Sequence, residues 1–399
     1  MYLILTLFFW LSLFIVFYTF IGYGIVITLL VRIKRALGAK MPVYLPDYTP
    51  DVAFVIPSYN EETIIEEKIK NCLALDYPKD KLKILFITDG STDKTPDIVK
   101  NYTDVQLLHV PERGGKSAAE NRAMKFVTAP IVVFSDANTI LPPQALKELV
   151  KFYQDAKVGA VSGEKRIAGK TKDNAAGAGE GIYWKYESYL KKMDAEFLTI
   201  VGAAGELFSF RSELFEELEP DSILDDFMLS MRIASKGYRV LYEPKAYALE
   251  TSSVSVKEEL KRKIRICAGG WQSIIRLRHV LNPFPNFALT FQYVSHRVLR
   301  WTITPLLLLL LLPVNYLLSI EETGYFYKFI FVCQIVFYSM ALLGWYLENR
   351  KIKVKILFVP YYFFIMNYAV FLGFFRYISG KQSSKWERAK RDEFAPKLS

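Results

Sequence analysis

Only three cysteines, Cys72, Cys267 and Cys333, and three histidines, His109, His279 and His296, occur in 399 residues. Scattered in this way they form neither a metal-ligand spacing nor a disulfide framework, so the expectation is free thiols in a reducing compartment. The histidines read as structural or interfacial, because nothing with ligand spacing surrounds them. Internal repeats and low-complexity tracts are lacking too. Charge is absent from Leu3 to Val31, and about 20 such residues span a bilayer. That stretch is too long, and too uncharged at its start, for a cleaved signal peptide, so residues 1–34 are expected to form a retained membrane anchor.

What is present is apolar and basic: 52% of residues are hydrophobic and the net charge is +10. Arg32, Lys34, Arg35 and Lys40 follow the first apolar run, and Arg350, Lys351, Lys353 and Lys355 follow a later one. Basic residues beside apolar spans are the positive-inside pattern rather than a nucleic-acid surface. The expectation is an integral plasma (inner) membrane protein, in contact with lipid bilayer and not with nucleic acid, whose middle section is cytosolic. Residues 284–300 resemble an interfacial helix, with His296, Arg297 and Arg300 on Phe287–Arg300. Membrane helices are expected over 301–380, at about Trp301–Ile320 and Tyr325–Leu347 around Glu321-Glu322, and the segment Ile356–Ile378 is long enough to cross. A basic tail, 381–399, ends the chain. Four crossings would put that tail outside, against the charge rule. Either Ile356–Ile378 is re-entrant or interfacial, with Pro360 and Asn367 breaking its apolar run, or the tail breaks the rule; a cytosolic tail is the preferred expectation.

Between the membrane segments, residues 50–280 alternate strands and helices. After the linker Met41–Pro50, strands are expected at Val52–Ile56, Lys83–Thr88, Val105–His109, Ile131–Phe134 and Val158–Ser162. Helices are expected at Thr63–Leu75, Ser117–Val127 and from Pro143. This pattern argues an α/β fold with a mostly parallel, doubly wound sheet. Three strands end in polar loops on what should be one sheet edge, the edge where open α/β sheets bind ligands. Gly163–Gly181 reads as a mobile loop, Ile182–Phe197 as a helix, and Gly202–Arg211 as small residues beside a strand. Asp225-Asp226 opens a helix over Phe227–Lys236 that Gly237 closes. Lys257–Arg278 reads as a basic helix interrupted at Gly269-Gly270 and Trp271-Gln272.

Asp89, at a strand end, can accept a hydrogen bond from a base or ribose. Asp136 is a hard oxygen ligand for Mg²⁺ or Mn²⁺, Asn138 can add a neutral oxygen or bond the ribose, and Lys116 after two glycines can balance phosphate charge. The ordered set Pro57-Ser-Tyr-Asn-Glu61, Asp89-Gly-Ser-Thr-Asp93, Gly115-Lys116, Ser135-Asp136-Ala-Asn138, Gly202–Arg211, Asp225-Asp226 and Arg265 is similar to family 2 glycosyltransferases of the GT-A fold. The resemblance is to their membrane-integrated branch, with hyaluronan, chitin, poly-N-acetylglucosamine and cellulose synthases. It implies a Rossmann-like cytosolic domain and an inverting sugar transfer from a UDP-sugar to a growing polysaccharide or a lipid-linked acceptor. It also implies that Pro57, Tyr59, Glu61 and Asp89 meet the nucleotide, that Asp136 with Asn138 holds the metal, and that Asp226 is the general base. Lys116 and Arg265 would neutralise the diphosphate, and Gly205, Glu206, Asp225, Trp271 and Gln272 would face the acceptor. The helix N-terminus at Asp226 favours its ionised form at neutral pH, against repulsion from Asp225.

Three departures stand out: Asn138 where the family often has Asp, Leu224-Asp225-Asp226 where it often has Thr-Glu-Asp, and Ile266 where processive members have Trp. Trp271 is the candidate substitute, about a helical turn and a half further on. Asp93 reads as a cap, Tyr183, Trp184 and Tyr186 as packing residues, and Lys261–Arg265 as either a lipid-facing or a diphosphate-binding run. The alternative from another class is a non-catalytic nucleotide-binding membrane subunit.

Overall fold

The computed structural model describes residues 2–39, 44–45, 47–168, 175–251, 256–321, 324–350, 352 and 354–383. Lys40, Lys351, Lys353, Glu322, parts of the linker and the basic tail from Ser384 lie outside them. Among the described residues, seven strands make one sheet: β1 (Val52–Ser58), β2 (Leu82–Asp89), β3 (Gln106–Val110), β4 (Ile131–Ser135), β5 (Val158–Ala168), β6 (Leu207–Arg211) and β7 (Arg239–Thr251). Their order is β3-β2-β1-β4-β6-β5-β7. β1 to β4 pair in parallel and β5 pairs in parallel with β7, whereas β6 runs antiparallel to both β4 and β5.

The strands are apolar on both faces because helices cover both. Ala53, Val55, Leu85, Ile87, Val132 and Phe134 pack into one core cluster, while Val52, Phe54, Ile56, Ile84, Phe86 and Val133 pack into another. With side chains alternating along each strand, that division sets every strand end at a fixed height on the sheet. The carboxyl ends of β1, β2 and β4 therefore fall on one edge. The antiparallel β6 starts at that same edge, with Leu207 opposite Ser135.

Several elements differ from expectation. β5 extends to Ala168 and a helix begins at Ala175, so Gly163–Gly181 is not one loop; residues 169–174 lie outside the described set. β7 was not anticipated, because Pro244, Lys245 and Glu250 interrupt its apolar pattern. The helix Val256–Arg276 runs without a break. Its two glycines are contacts rather than interruptions: a Cβ at Gly269 would meet Leu224 at 2.6 Å and one at Gly270 would meet Trp301 at 2.7 Å.

Among the described residues, four helices are long and apolar enough to cross a membrane: Tyr2–Ala36, Ile303–Glu321, Phe326–Asn349 and Ile356–Ile378. Pro360 and Asn367 do not break the last one, which is continuous over Lys355–Ile378. Asn367 turns its amide back to the Phe363 carbonyl at 2.9 Å. The first contains a π turn at Tyr18–Gly22, and the hydroxyl of Tyr186 donates to the Phe20 carbonyl within it at 2.9 Å.

The junction between membrane and domain is polar and buried. Asp194, fully buried, receives hydrogen bonds from Tyr23 and Gln292 and pairs with His296 Nδ1 at 2.6 Å. Glu187 pairs with Arg300 and, at 3.4 Å, with Arg297. His296 is thus structural, on the segment Phe287–Trp301, which docks its buried side on the domain and exposes Phe287.

Candidate active site

Three loops meet at the sheet edge. After β1, Asn60 takes φ 53°, a left-handed turn that Asn tolerates, and its Oδ1 accepts from the Thr92 N–H at 2.8 Å. Asp93 accepts from Glu62 N at 3.1 Å and Thr95 N at 3.0 Å, which is a capping role. Glu61 is 1% exposed, and its N–H meets Thr95 Oγ1 at 2.8 Å.

Asp89 ends β2 with both oxygens engaged. Its Oδ2 accepts from Gly114 N at 2.9 Å and Gly115 N at 2.6 Å, and its Oδ1 from Arg122 at 3.3 Å. It thereby holds the glycine loop that launches Lys116. Gly90, at φ 67°, allows the loop in: a Cβ there would lie 2.7 Å from the Arg113 Cα. A pocket of about 330 Å³ opens here, lined by Pro57, Tyr59, Asp89, Arg113, Gly115 and Lys116. Tyr59 forms an aromatic wall with the Arg113 guanidinium 3.8 Å from its ring centre.

The loop after β4 carries Asp136 and Asn138, and a residue the sequence reading missed fixes its shape. Lys68, 1% exposed, donates to Ser135 Oγ and the Thr139 carbonyl, both at 2.9 Å. Burial pulls its pKa down. A signal existed: Lys68 falls on the buried stripe Ile65, Ile69, Cys72 of its helix, where a charge needs a reason.

Lys116 gathers the acids. Its Nζ lies 2.9 Å from Asp136, 3.2 Å from Asp225 and 3.8 Å from Glu120. Burial opposes its charge, but Asp136, Asp225 and Glu120 hold its pKa well above the usual value. Glu120, 1% exposed and also missed, is pushed well up by burial and then by Asp225. It shares a helix stripe with Ala119 and Ala123, so its spacing carried the same signal as Lys68.

A second pocket, about 210 Å³, is lined by Lys116, Glu120, Gly205, Asp225 and Asp226. Burial would raise Asp225, but Lys116 holds it below the ordinary range. Asp226 goes the other way: burial and then the Asp225 charge push it up to about 7. The expectation of a fully ionised Asp226 at neutral pH is corrected accordingly, since desolvation and like charge outweigh the helix N-terminus. Gly205 allows close approach, for a Cβ there would lie 3.3 Å from both Asp226 Oδ2 and Lys116 Nζ.

The remaining candidates divide. Arg265, on the Val256–Arg276 helix, donates to the Ile223 carbonyl at 3.4 Å and feels the charges of Asp225, Asp226 and Asp136. Glu206 is bound by Lys165 at 2.7 Å and Arg262 at 3.6 Å, which hold its pKa far below the usual range despite burial. A carboxylate so paired is a poor base. Gln272, 6% exposed, does not face an acceptor: it accepts from Ile223 N at 3.0 Å and donates to the Asp221 carbonyl at 2.9 Å, fixing the loop before Asp225. Trp271 packs on Phe374 of the last helix at 4.8 Å and lines neither pocket.

The oxygens on the β4 loop fit a divalent cation as half of a site. Asn138 Oδ1 is buried without a hydrogen-bond partner, beside a carboxylate that is 20% exposed. Among the described residues no cluster of three or more His, Cys, Asp or Glu could hold a metal alone. Mg²⁺ sites of this kind take their other ligands from phosphate and water.

Residues 53–219 match the family described as Glycosyl transferase family 2. Over 274 residues the chain is 27% identical to the poly-beta-1,6-N-acetyl-D-glucosamine synthase of Staphylococcus aureus, covering 66% of this chain and 65% of that protein. It is 26% identical to a probable glycosyltransferase of Bacillus subtilis, over 57% of each chain. The chain thus spans less than two thirds of the length of these relatives. Among solved structures, a mannosyltransferase from Pyrobaculum calidifontis in complex with GDP-Man and Mn2+ superposes with a TM-score of 0.69 at 23% identity, covering 94% of this chain and all of that one. The shared fold is the GT-A type.

Proposed function

Because residues 53–219 make this chain a family 2 glycosyltransferase, we propose that it transfers a sugar, with inversion, from a UDP-sugar to a growing polysaccharide or lipid-linked acceptor. The observation that carries this reading is the convergence of Asp136, Lys116, Asp225 and Asp226 where two pockets meet. The pocket at Pro57, Tyr59 and Asp89 takes the nucleotide, with the base against Tyr59 and Glu61 supporting the loop. Asp226, ionised in part at neutral pH, removes the acceptor hydroxyl proton as the oxygen attacks the anomeric carbon. The bond to diphosphate breaks on the opposite face, and Arg265 and Lys116 receive the leaving charge. Asp136 and Asn138 would hold Mg²⁺ or Mn²⁺, which supplies Lewis-acid stabilisation of the diphosphate. Gly205 leaves room for the acceptor beside Asp226. The poly-N-acetylglucosamine synthase relative favours an N-acetylhexosamine donor and a polymeric product.

The domain belongs on the cytosolic side of the membrane. Val256–Arg276 carries Lys257, Glu258, Glu259, Lys261, Arg262, Lys263 and Arg265, which keep it out of hydrocarbon. Lys355–Ile378 runs alongside it: Phe358 and Ile365 pack near Leu260, Ala369 near Cys267 and Phe374 on Trp271. A helix held for about 16 Å against a charged one lies at headgroup level. Three crossings remain, with the tail cytosolic.

Membranes containing the protein, incubated with labelled UDP-sugars and with GDP-mannose for comparison, should yield labelled polymer or glycolipid from one UDP-sugar. Asp226→Asn should bind UDP normally and lose about a hundredfold or more in rate. Near wild-type turnover in that variant would remove Asp226 from the chemistry.

A further inference from the structure

Lys116 sits on a ligand that a divalent ion needs. Its ammonium, on a side chain 13% exposed, is 2.9 Å from Asp136 Oδ1, the charged member of the Asp136–Asn138 pair. The same nitrogen has two other acids within reach, Asp225 at 3.2 Å and Glu120 at 3.8 Å. Glu120 is deeply buried one turn along the same helix, where burial and then the Asp225 charge favour its neutral form, so Asp136 and Asp225 are the anions the ammonium serves. At Gly205 the absent side chain leaves space beside Nζ.

We propose that Lys116 is the resident cation of the donor-free enzyme. Its ammonium holds Asp136 and keeps a divalent ion off until a nucleoside diphosphate arrives; the diphosphate and its ion then take Asp136, and the ammonium, still beside Asp225, turns to the diphosphate oxygens. This rests on the Asp136–Asn138 half-site of the proposed function. Two cations cannot share one carboxylate in a poorly solvated site without strong repulsion, and the diphosphate supplies the negative charge that reverses the balance. A lysine suits the exchange because its ammonium is a compact charge on a flexible stem. The device makes metal binding depend on nucleotide and leaves Lys116 between Asp225 and the diphosphate once the donor is in place.

The test is Mn²⁺ binding to the full-length protein in lipid nanodiscs, read from the free-ion signal in electron paramagnetic resonance, with and without UDP. Without UDP, Lys116→Met should bind Mn²⁺ at least about tenfold more tightly than wild type, and Lys116→Arg, which keeps the charge, should behave like wild type. With UDP, wild type should bind tightly. Equal affinity of wild type and Lys116→Met without UDP, alongside UDP-dependent binding by wild type, overturns the resident-cation proposal and leaves the half-site standing. Absence of Mn²⁺ binding even with UDP removes the half-site and the proposal together. Should Lys116→Met fail to fold, Lys116→Gln serves: without UDP it should bind Mn²⁺ at least about tenfold more tightly than wild type, and an affinity equal to wild type overturns the exchange.

Discussion

Asp226 titrates where a base can be switched by small changes in acidity. Burial and the neighbouring Asp225 raise its pKa to about 7, and a base works only when deprotonated. The turnover rate should therefore fall as pH drops through about 7, close to tenfold per unit below it, and level off above about 8. Rates at saturating donor from acid to mildly alkaline pH check this, and a flat profile would exclude Asp226 as the base. Gly205 belongs to the same scale. Its alanine variant pushes a methyl to within 3.3 Å of both Asp226 and Lys116. A roughly tenfold lower turnover number, about 1.4 kcal/mol, with a melting temperature near wild type is the expected result from kinetics and calorimetry.

At the scale of elements, the loop before Asp225 is held from outside. Gln272, Arg265 and Arg276 reach it from one helix: Gln272 takes the Ile223 N–H, and Arg276 meets Asp221 at 2.7 Å. Gln272→Ala strands a buried N–H and should cost about 1–3 kcal/mol of stability, with a lower rate because the base loop shifts. Gln272→Glu keeps the acceptor and should recover part of the loss. Strand ends such as Asp89 and Asp136 were legible, because a short apolar run stopping at an acid marks a sheet edge whatever else the chain does. Gln272 and the glycines beside it were not. A Gly-Gly pair reads as a helix break until the Leu224 and Trp301 side chains it must admit are known. Lys68 and Glu120 were hidden for a related reason: their roles depend on loops far away in sequence, although each stood on a buried helix stripe. β6 was visible as a strand, but its reversed direction, which brings Gly205 to Asp226, depends on the course of the whole chain.

For the whole molecule, the expected arrangement is three crossings and a cytosolic tail. A cysteine at Ser384, in the segment beyond the described residues, should resist a membrane-impermeant thiol reagent in intact cells after Cys333 is replaced by serine, and should react once the cells are opened. Labelling in intact cells would make Lys355–Ile378 a full crossing. The buried set at Asp194, Tyr23 and His296 ties the first membrane helix to the domain. Asp194→Ala should therefore destabilise the protein by about 3–5 kcal/mol, measured as loss of detergent-solubilised folded protein on heating.

The helix Val256–Arg276 has two clients. Gly269, Gln272 and Arg265 bear on the base loop, while Cys267 and Ala268 lie so close to Gly373 of the last helix that a methyl there would come within 2.9 Å of both. A shift of that last helix, proposed to lie at headgroup level, is thereby carried to the loop before Asp226 through a rod about 10 Å wide. Cut away from Lys355–Ile378, the domain should keep the pocket at Pro57, Tyr59 and Asp89 and lose the positioning of Asp226, the proposed base.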